Sequence, residues 1–171
     1  MKLSPRRAGW PQRQPEGRAN VMADRIAFEL VTPHRLFLSE MVELVVVPGT
    51  EGNFGVLPGH APLISMIRPG TIDIYEGQAV KQRLFVIGGI AEVTPERCTV
   101  LADEVIPPDA LDRGSIESDL RVVEGNLPSL REQVTRAAGT DRERLLIELH
   151  RLEREQAVLR GKLQALGEIA H

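Results

Sequence analysis

The hydrophobic period of this chain changes once, at Pro107-Pro108, and that change limits the fold to a β part followed by a helical part. Upstream, Ile26, Phe28 and Leu30 alternate with polar neighbours, as in a half-buried strand, and Ile72 and Ile74 repeat the rhythm. MVELVVVP (41–48) and LFVIGG (84–89) are short β-branched runs bounded by Gly or Pro, the pattern of strands buried on both sides. Residues 23–108 hold nineteen Val and Ile, eight Gly and eight Pro, which suits many short strands joined by tight turns in a sandwich or barrel. Residues 109–171 keep only seven Val and Ile but carry eleven Leu, so the second part should be helical.

Within that part, Leu145, Leu149, Leu152, Gln156, Leu159, Leu163, Leu166 and Ala170 step by three and four and form a seam on one helix face. Thr140 with Glu143 has capping-box spacing, which would start this helix. A leucine face of this length needs a cover. Residues 113–138, folded back across Ala-Ala-Gly-Thr, offer one through Val122, Leu127, Leu130 and Val134. Gly125 and Pro128 cost about 1 and about 3 kcal/mol in a helix interior, so a kink or a break is expected near Pro128. Two such helices bury little by themselves, and the hairpin should be only loosely independent and able to change its docking.

Charge and cysteine content exclude several functions. The net charge is −3, split as +4 over residues 1–21, −5 over 22–108 and −2 over 109–171. Neither large segment is basic, which argues against a nucleic-acid partner. One cysteine, Cys98, excludes an internal disulfide and a cysteine-clustered zinc site. In RCTVLAD it alternates as a small strand hydrophobe. Residues 1–22 carry Pro5, Pro11, Pro15, five basic residues and the sole tryptophan, Trp10; a disordered extension is expected there, or a translation start placed too early.

No nucleophile elbow, paired-histidine zinc motif or P-loop is present, and GTEGNFG (49–55) lacks the Lys-Ser/Thr that phosphate cradling needs. His34, His60, His150 and His171 have no metal-ligand spacing. Asp103-Glu104 should point to opposite faces of a strand, which gives no paired-carboxylate chemistry. The chain is therefore expected to lack catalytic residues, metals and cofactors. The densest local signal is PGTEGNFGVLPGHAPLISMIRPG (48–70), with five glycines and four prolines in twenty-three residues. Such a stretch prescribes several turns and presents Phe54, Val56, Leu57, Leu63, Ile64, Met66 and Ile67 on a preordered loop. It is either a docking edge or, through Phe54 and Leu63, a plug for one end of the sandwich.

EGNFGVLPGHAPLISMIRPG, followed by FVIGGIAEV and TVLADEV, closely resembles the epsilon subunit of F-type ATP synthases over about Ile26–Asp109, with a weaker helical match beyond. The resemblance implies an antiparallel β-sandwich over 23–108 and a helical hairpin over 109–171, two domains and α+β overall. It implies a non-enzymatic rotor subunit of the central stalk, which binds the gamma subunit and holds it on the c ring during proton-driven ATP synthesis. It points to Glu51, Asn53, Phe54 and His60 against the c-ring loops; with Val56, Leu57 and Leu63 from the apolar loop surface, these are the candidate partner-binding residues. The family often has an acid where Asn53 stands, so Glu51 would supply that charge. In many bacterial members the hairpin can extend and block ATP hydrolysis at the alpha/beta catalytic subunits. For this chain, Arg142, Arg144, Arg151, Arg154 and Arg160 would make that contact, unless Glu–Arg pairs merely solvate the face. Some members bind ATP through L/I-D-x-x-R-A. Here LDRGSI keeps Leu111 and Asp112 but has Ser115 and Ile116 at the last two positions, so ATP binding should be weak or absent. The resemblance places the protein at the cytoplasmic face of a bacterial inner membrane, held there by partners. The rival expectation is a stand-alone β-sandwich that binds a ligand and dimerises through the leucine seam.

Overall fold

A computed structural model of the chain describes residues 24–169. The extension over 1–22, Trp10 and the seam position Ala170 lie outside the described residues.

Ten strands come first: β1 Ile26–Thr32, β2 Arg35–Val42, β3 Leu44–Gly49, β4 Gly52–Val56, β5 Leu63–Ile67, β6 Gly70–Glu76, β7 Ala79–Val86, β8 Gly89–Val93, β9 Arg97–Ala102 and β10 Val105–Ile106. They form one sheet in the order β10-β7-β6-β3-β5-β8-β9-β1-β2, with β4 on β3. The sheet curls over, so residues from distant strands share one core. Ile26, Phe28, Leu30, Val45, Val47, Val56, Ile72, Ile74 and Val100 are all fully buried in it. The alternation read at 26–30 and 72–74 thus becomes the inward face.

Every pairing but one is antiparallel. β1 runs parallel to β9, with Phe28 opposite Cys98 and Leu30 opposite Val100. A parallel pair needs a long crossover, and here the rest of the sheet provides it. The run 41–48 is not one strand: it breaks at Glu43, where the chain passes from β2 to β3. Glu43 accepts from the Gly77 backbone N–H at 2.6 Å and pairs with Arg25 at 3.5 Å, so a polar corner interrupts an apolar run. Asp103 and Glu104 lie in the bend between β9 and β10 rather than in a strand. Cys98 is buried, and burial raises its thiol pKa to about 12.

A single 3-10 turn, Pro108–Ala110, leads into α1, Arg113–Arg136, and α2, Gly139–Ile169. The helices fold back on each other around Ile116, Val123, Leu127, Leu130, Leu152 and Leu159, flanked by half-buried Leu145, Leu149, Leu163 and Leu166. The α2 seam therefore stands as read. The α1 stripe differs at one position: Val123 is buried, while Val122 is 62% exposed. α1 is also unbroken through Pro128. The flanking Leu127 and Leu130 are both buried, and about 1.5–3 kcal/mol from each offsets the proline's cost. The α2 start corrects another expectation. The helix begins at Gly139, with φ +60°, so Thr140 already lies inside it rather than capping it.

Candidate docking surfaces

The glycine-rich stretch 48–70 is anchored by its own backbone. Thr50 N–H donates to the Met66 carbonyl and Arg68 N–H to that of Pro48, both at 3.0 Å. Gly59 N–H donates to the Pro95 carbonyl at 2.8 Å. His60 Nδ1 lies 2.7 Å from the Ala61 carbonyl oxygen, which requires the proton on Nδ1. The turns therefore sit rigidly on the sandwich.

They do not, however, form one patch. Glu51 lies in the β3–β4 turn, and Asn53 and Phe54 lie just past it on β4. Leu57 and His60 lie beyond the far end of β4, and Leu63 opens β5. β4 has five residues, about 17 Å of extended chain, so the turn that holds Glu51 and the turn that holds Leu57 and His60 lie at opposite ends of the strand. Orientation divides the residues again. Val56 is fully buried opposite Val45 and cannot offer its side chain to a partner. Phe54, opposite Val47, packs against the core, whereas Leu63, opposite Val93 at the start of β5, is 36% exposed. Glu51, Asn53 and Leu57 are exposed and His60 is half-buried. Asn53 Oδ1 accepts from the Arg68 guanidinium at 2.5 Å, which ties the turn to the β5–β6 corner.

A second surface comes from strand register, which the sequence in chain order conceals. Met66 stands opposite Ile90, Ile90 opposite Leu101, Leu101 opposite Val31 and Val31 opposite Leu36. Four of these side chains are 41–58% exposed and Val31 is half-buried. Ile64, two residues before Met66 on the same face, is 74% exposed. Neighbouring strands are about 4.8 Å apart, so an apolar stripe about 19 Å long crosses β5, β8, β9, β1 and β2 on the outer face. Beside it, Glu92, Thr99 and Glu29 form a polar row, with Arg97 paired to Glu29 at 3.7 Å. An apolar band with a polar border is the composition of a protein-binding face. Residues such as Leu101 and Leu36 gave no signal by themselves; only the pairing brings them together.

The proposed nucleotide residues have structural roles. Asp112 caps α1, its Oδ1 accepting from the Ser115 backbone N–H at 2.7 Å. Leu111 packs against the helix core. Ser115 provides no cation for a phosphate. Millimolar ATP should therefore leave the melting temperature and the hairpin amide spectrum unchanged; a micromolar dissociation constant by calorimetry would contradict this.

Three of the five candidate hairpin arginines, Arg151, Arg154 and Arg160, are engaged in ion pairs. Arg151 bridges Glu148 at 2.7 Å and Glu155 at 3.4 Å. Arg160 donates to Glu124 at 2.7 Å, and this bond, with one from Gln156, holds the Glu124 carboxyl below its usual pKa. Arg154 lies 3.8 Å from Asp103. Among the described residues, no group of three or more His, Cys, Asp or Glu is placed to hold a metal, and no helix is long and apolar enough to cross a membrane.

A β-sandwich with anchored turns, an exposed apolar stripe and an appended helical pair has the composition of a docking module. Comparison with known proteins identifies its family. Residues 25–108 match the model of the ATP synthase Delta/Epsilon chain β-sandwich domain. The ATP synthase epsilon chain of Rhodospirillum rubrum is 48% identical over 116 residues, covering 68% of this chain and 87% of that one. That of Rhodospirillum centenum is 49% identical over 140 residues, covering 81% and 92%. A chain in the cryo-EM structure of the Euglena gracilis mitochondrial ATP synthase, OSCP/F1/c-ring, has the same fold, with TM-score 0.64, 18% identity, and coverage of 96% of this chain and 97% of that one. The chain belongs to the ATP synthase epsilon-chain family, and as such it is an accessory, non-catalytic subunit of the complex.

Proposed function

We propose that this protein is the central-stalk clamp of a rotary ATP synthase, fastening the gamma subunit to the c ring. The observation that carries this reading is the apolar stripe Met66–Ile90–Leu101–Val31–Leu36. It lies on a sheet whose opposite face is the main core, so a partner bound there meets a stiff plate and not a mobile loop. A joint that transmits torque needs that stiffness. We assign the stripe to the gamma subunit, because burying a long apolar band suits a permanent partner. The exposed, polar Glu51 and Asn53 are assigned to the c-ring loops. Glu51 supplies the charge there, since Asn53 has none and is already bonded to Arg68. The subunit would sit peripherally on the cytoplasmic face of the membrane, held by these contacts.

The rival, a ligand-binding sandwich that dimerises through its leucines, loses its main support. α1 covers the α2 seam within the same chain. The hairpin's Glu–Arg pairs favour a solvated face over one awaiting an acidic partner, and any control of ATP hydrolysis would require the hairpin to leave the sandwich.

Tagged full-length protein should co-purify with the gamma subunit and the c ring from detergent-solubilised membranes. Recovery of a homodimer without either would overturn the proposal. The loop has its own test. Leu57→Arg alters a 55% exposed side chain, so the melting temperature should move by no more than a few degrees. If the β4–β5 turn also touches a partner, retention of the c ring should fall about tenfold. Unchanged retention would remove that turn from the interface.

A further inference from the structure

Phe85 is 1% exposed, yet it does not belong to the sandwich core. Its neighbours Leu84 and Val86 fill that core, and Phe85 stands on the other face of β7. The helix α2 covers it. A Cβ built on Gly161 would lie 3.3 Å from both Cε2 and Cζ of the Phe85 ring and 3.5 Å from the Pro69 carbonyl oxygen. One turn further along α2, Ala165 is 2% exposed and borders the same seam with Gly70 and Thr71. Gly161 thus leaves a notch in the helix against which the Phe85 ring sits, and Ala165, one turn on, continues the small-residue face beside Gly70 and Thr71.

We propose that this notch is the seat that holds the hairpin on the sandwich, and that side-chain size at position 161 sets how often the hairpin is seated. The competing contact is the pair Asp103–Arg154. At 3.8 Å, with side chains 59% and 76% exposed, it is screened by solvent and salt and contributes little. A ring enclosed by backbone, by contrast, loses its cover entirely when the helix moves. Even a methyl group at 161 meets the ring at a separation that forces it to shift, and a larger group cannot be accommodated without moving α2 outward. The seat is a property of contacts inside the chain and holds whether or not the gamma subunit is the partner of the stripe.

The test uses the full chain carrying Asp103→Cys and Arg154→Cys, treated with a short bifunctional thiol cross-linker. Cys98 is buried and does not compete. Gly161→Leu should lower the cross-linked fraction at least about fivefold, with Gly161→Ala in between. Phe85→Ala combined with Gly161→Leu should restore it, because the leucine then fills the space the ring vacates. Leucine is a better helix former than glycine, so far-ultraviolet circular dichroism should show helix content retained while the cross-link is lost. Parental cross-linking in Gly161→Leu would overturn the proposal. So would a failure of the double variant to recover, since the loss would then not depend on the fit between ring and notch.

Discussion

Leu101→Glu should abolish co-purification of the gamma subunit while leaving the subunit itself folded. Leu101 is 54% exposed and central in the stripe, flanked across the sheet by Ile90 and Val31. A carboxylate there would lose its water on docking and find no cation among these stripe neighbours. Truncation of a hot-spot residue at the centre of an interface costs about 2 kcal/mol or more, roughly 30-fold in affinity, and a buried unpaired charge costs further. Met66→Glu should behave alike at the stripe's end, with a smaller loss because the rim stays wetter. The check pairs a pull-down with thermal unfolding. Both variants should melt within a few degrees of the parent, since exposed substitutions usually change stability by about 0.5 kcal/mol or less. A Leu101→Glu protein that binds gamma normally would mean that the stripe is not the joint.

The largest stability effect should come from Gly89→Ala. Gly89 opens β8 with φ +128°, and an added Cβ would lie 2.2 Å from the Leu101 carbonyl oxygen. Neither the conformation nor the space admits a side chain, and the blocking atom belongs to the β9 backbone, which the sheet holds in place. We expect a loss of about 3 kcal/mol or more, read as a fall in melting temperature of about ten degrees or more. Gly77→Ala is the control. Its φ is +62° but nothing lies within 4 Å, so only the left-handed cost of about 1–2 kcal/mol should appear. Equal melting temperatures for the two alanine variants would refute the clash.

Much of the fold was legible because local periodicity maps directly onto burial. Ile26, Phe28, Leu30, Ile72 and Ile74 alternate in the text and alternate in the sandwich. The α2 leucines step by three and four and face α1. Failures arose where a local pattern had two continuations. Val122 and Val123 are adjacent, and only the position of α2 decides which is buried. The run 41–48 looks uniform, and only tertiary hydrogen bonding to Glu43 marks the corner. The docking surfaces were the least legible part. Closeness along the chain suggested a single loop over 48–70, whereas a five-residue strand holds its two turns apart. The stripe draws one residue from each of five strands, and register is a property of the whole sheet, not of any segment.

The parallel β1–β9 pair has a consequence for biosynthesis. Phe28 must wait for Cys98, seventy positions downstream, before that side of the first strand is closed. At a typical elongation speed of about 5–20 residues per second, the nascent strand stays open-sided for about 4–14 seconds. Only its hairpin with β2 can form early, and a lone hairpin is barely stable in water. A ribosome-bound chaperone would find its best target in that interval, and slow translation ahead of codon 97 would prolong the hazard.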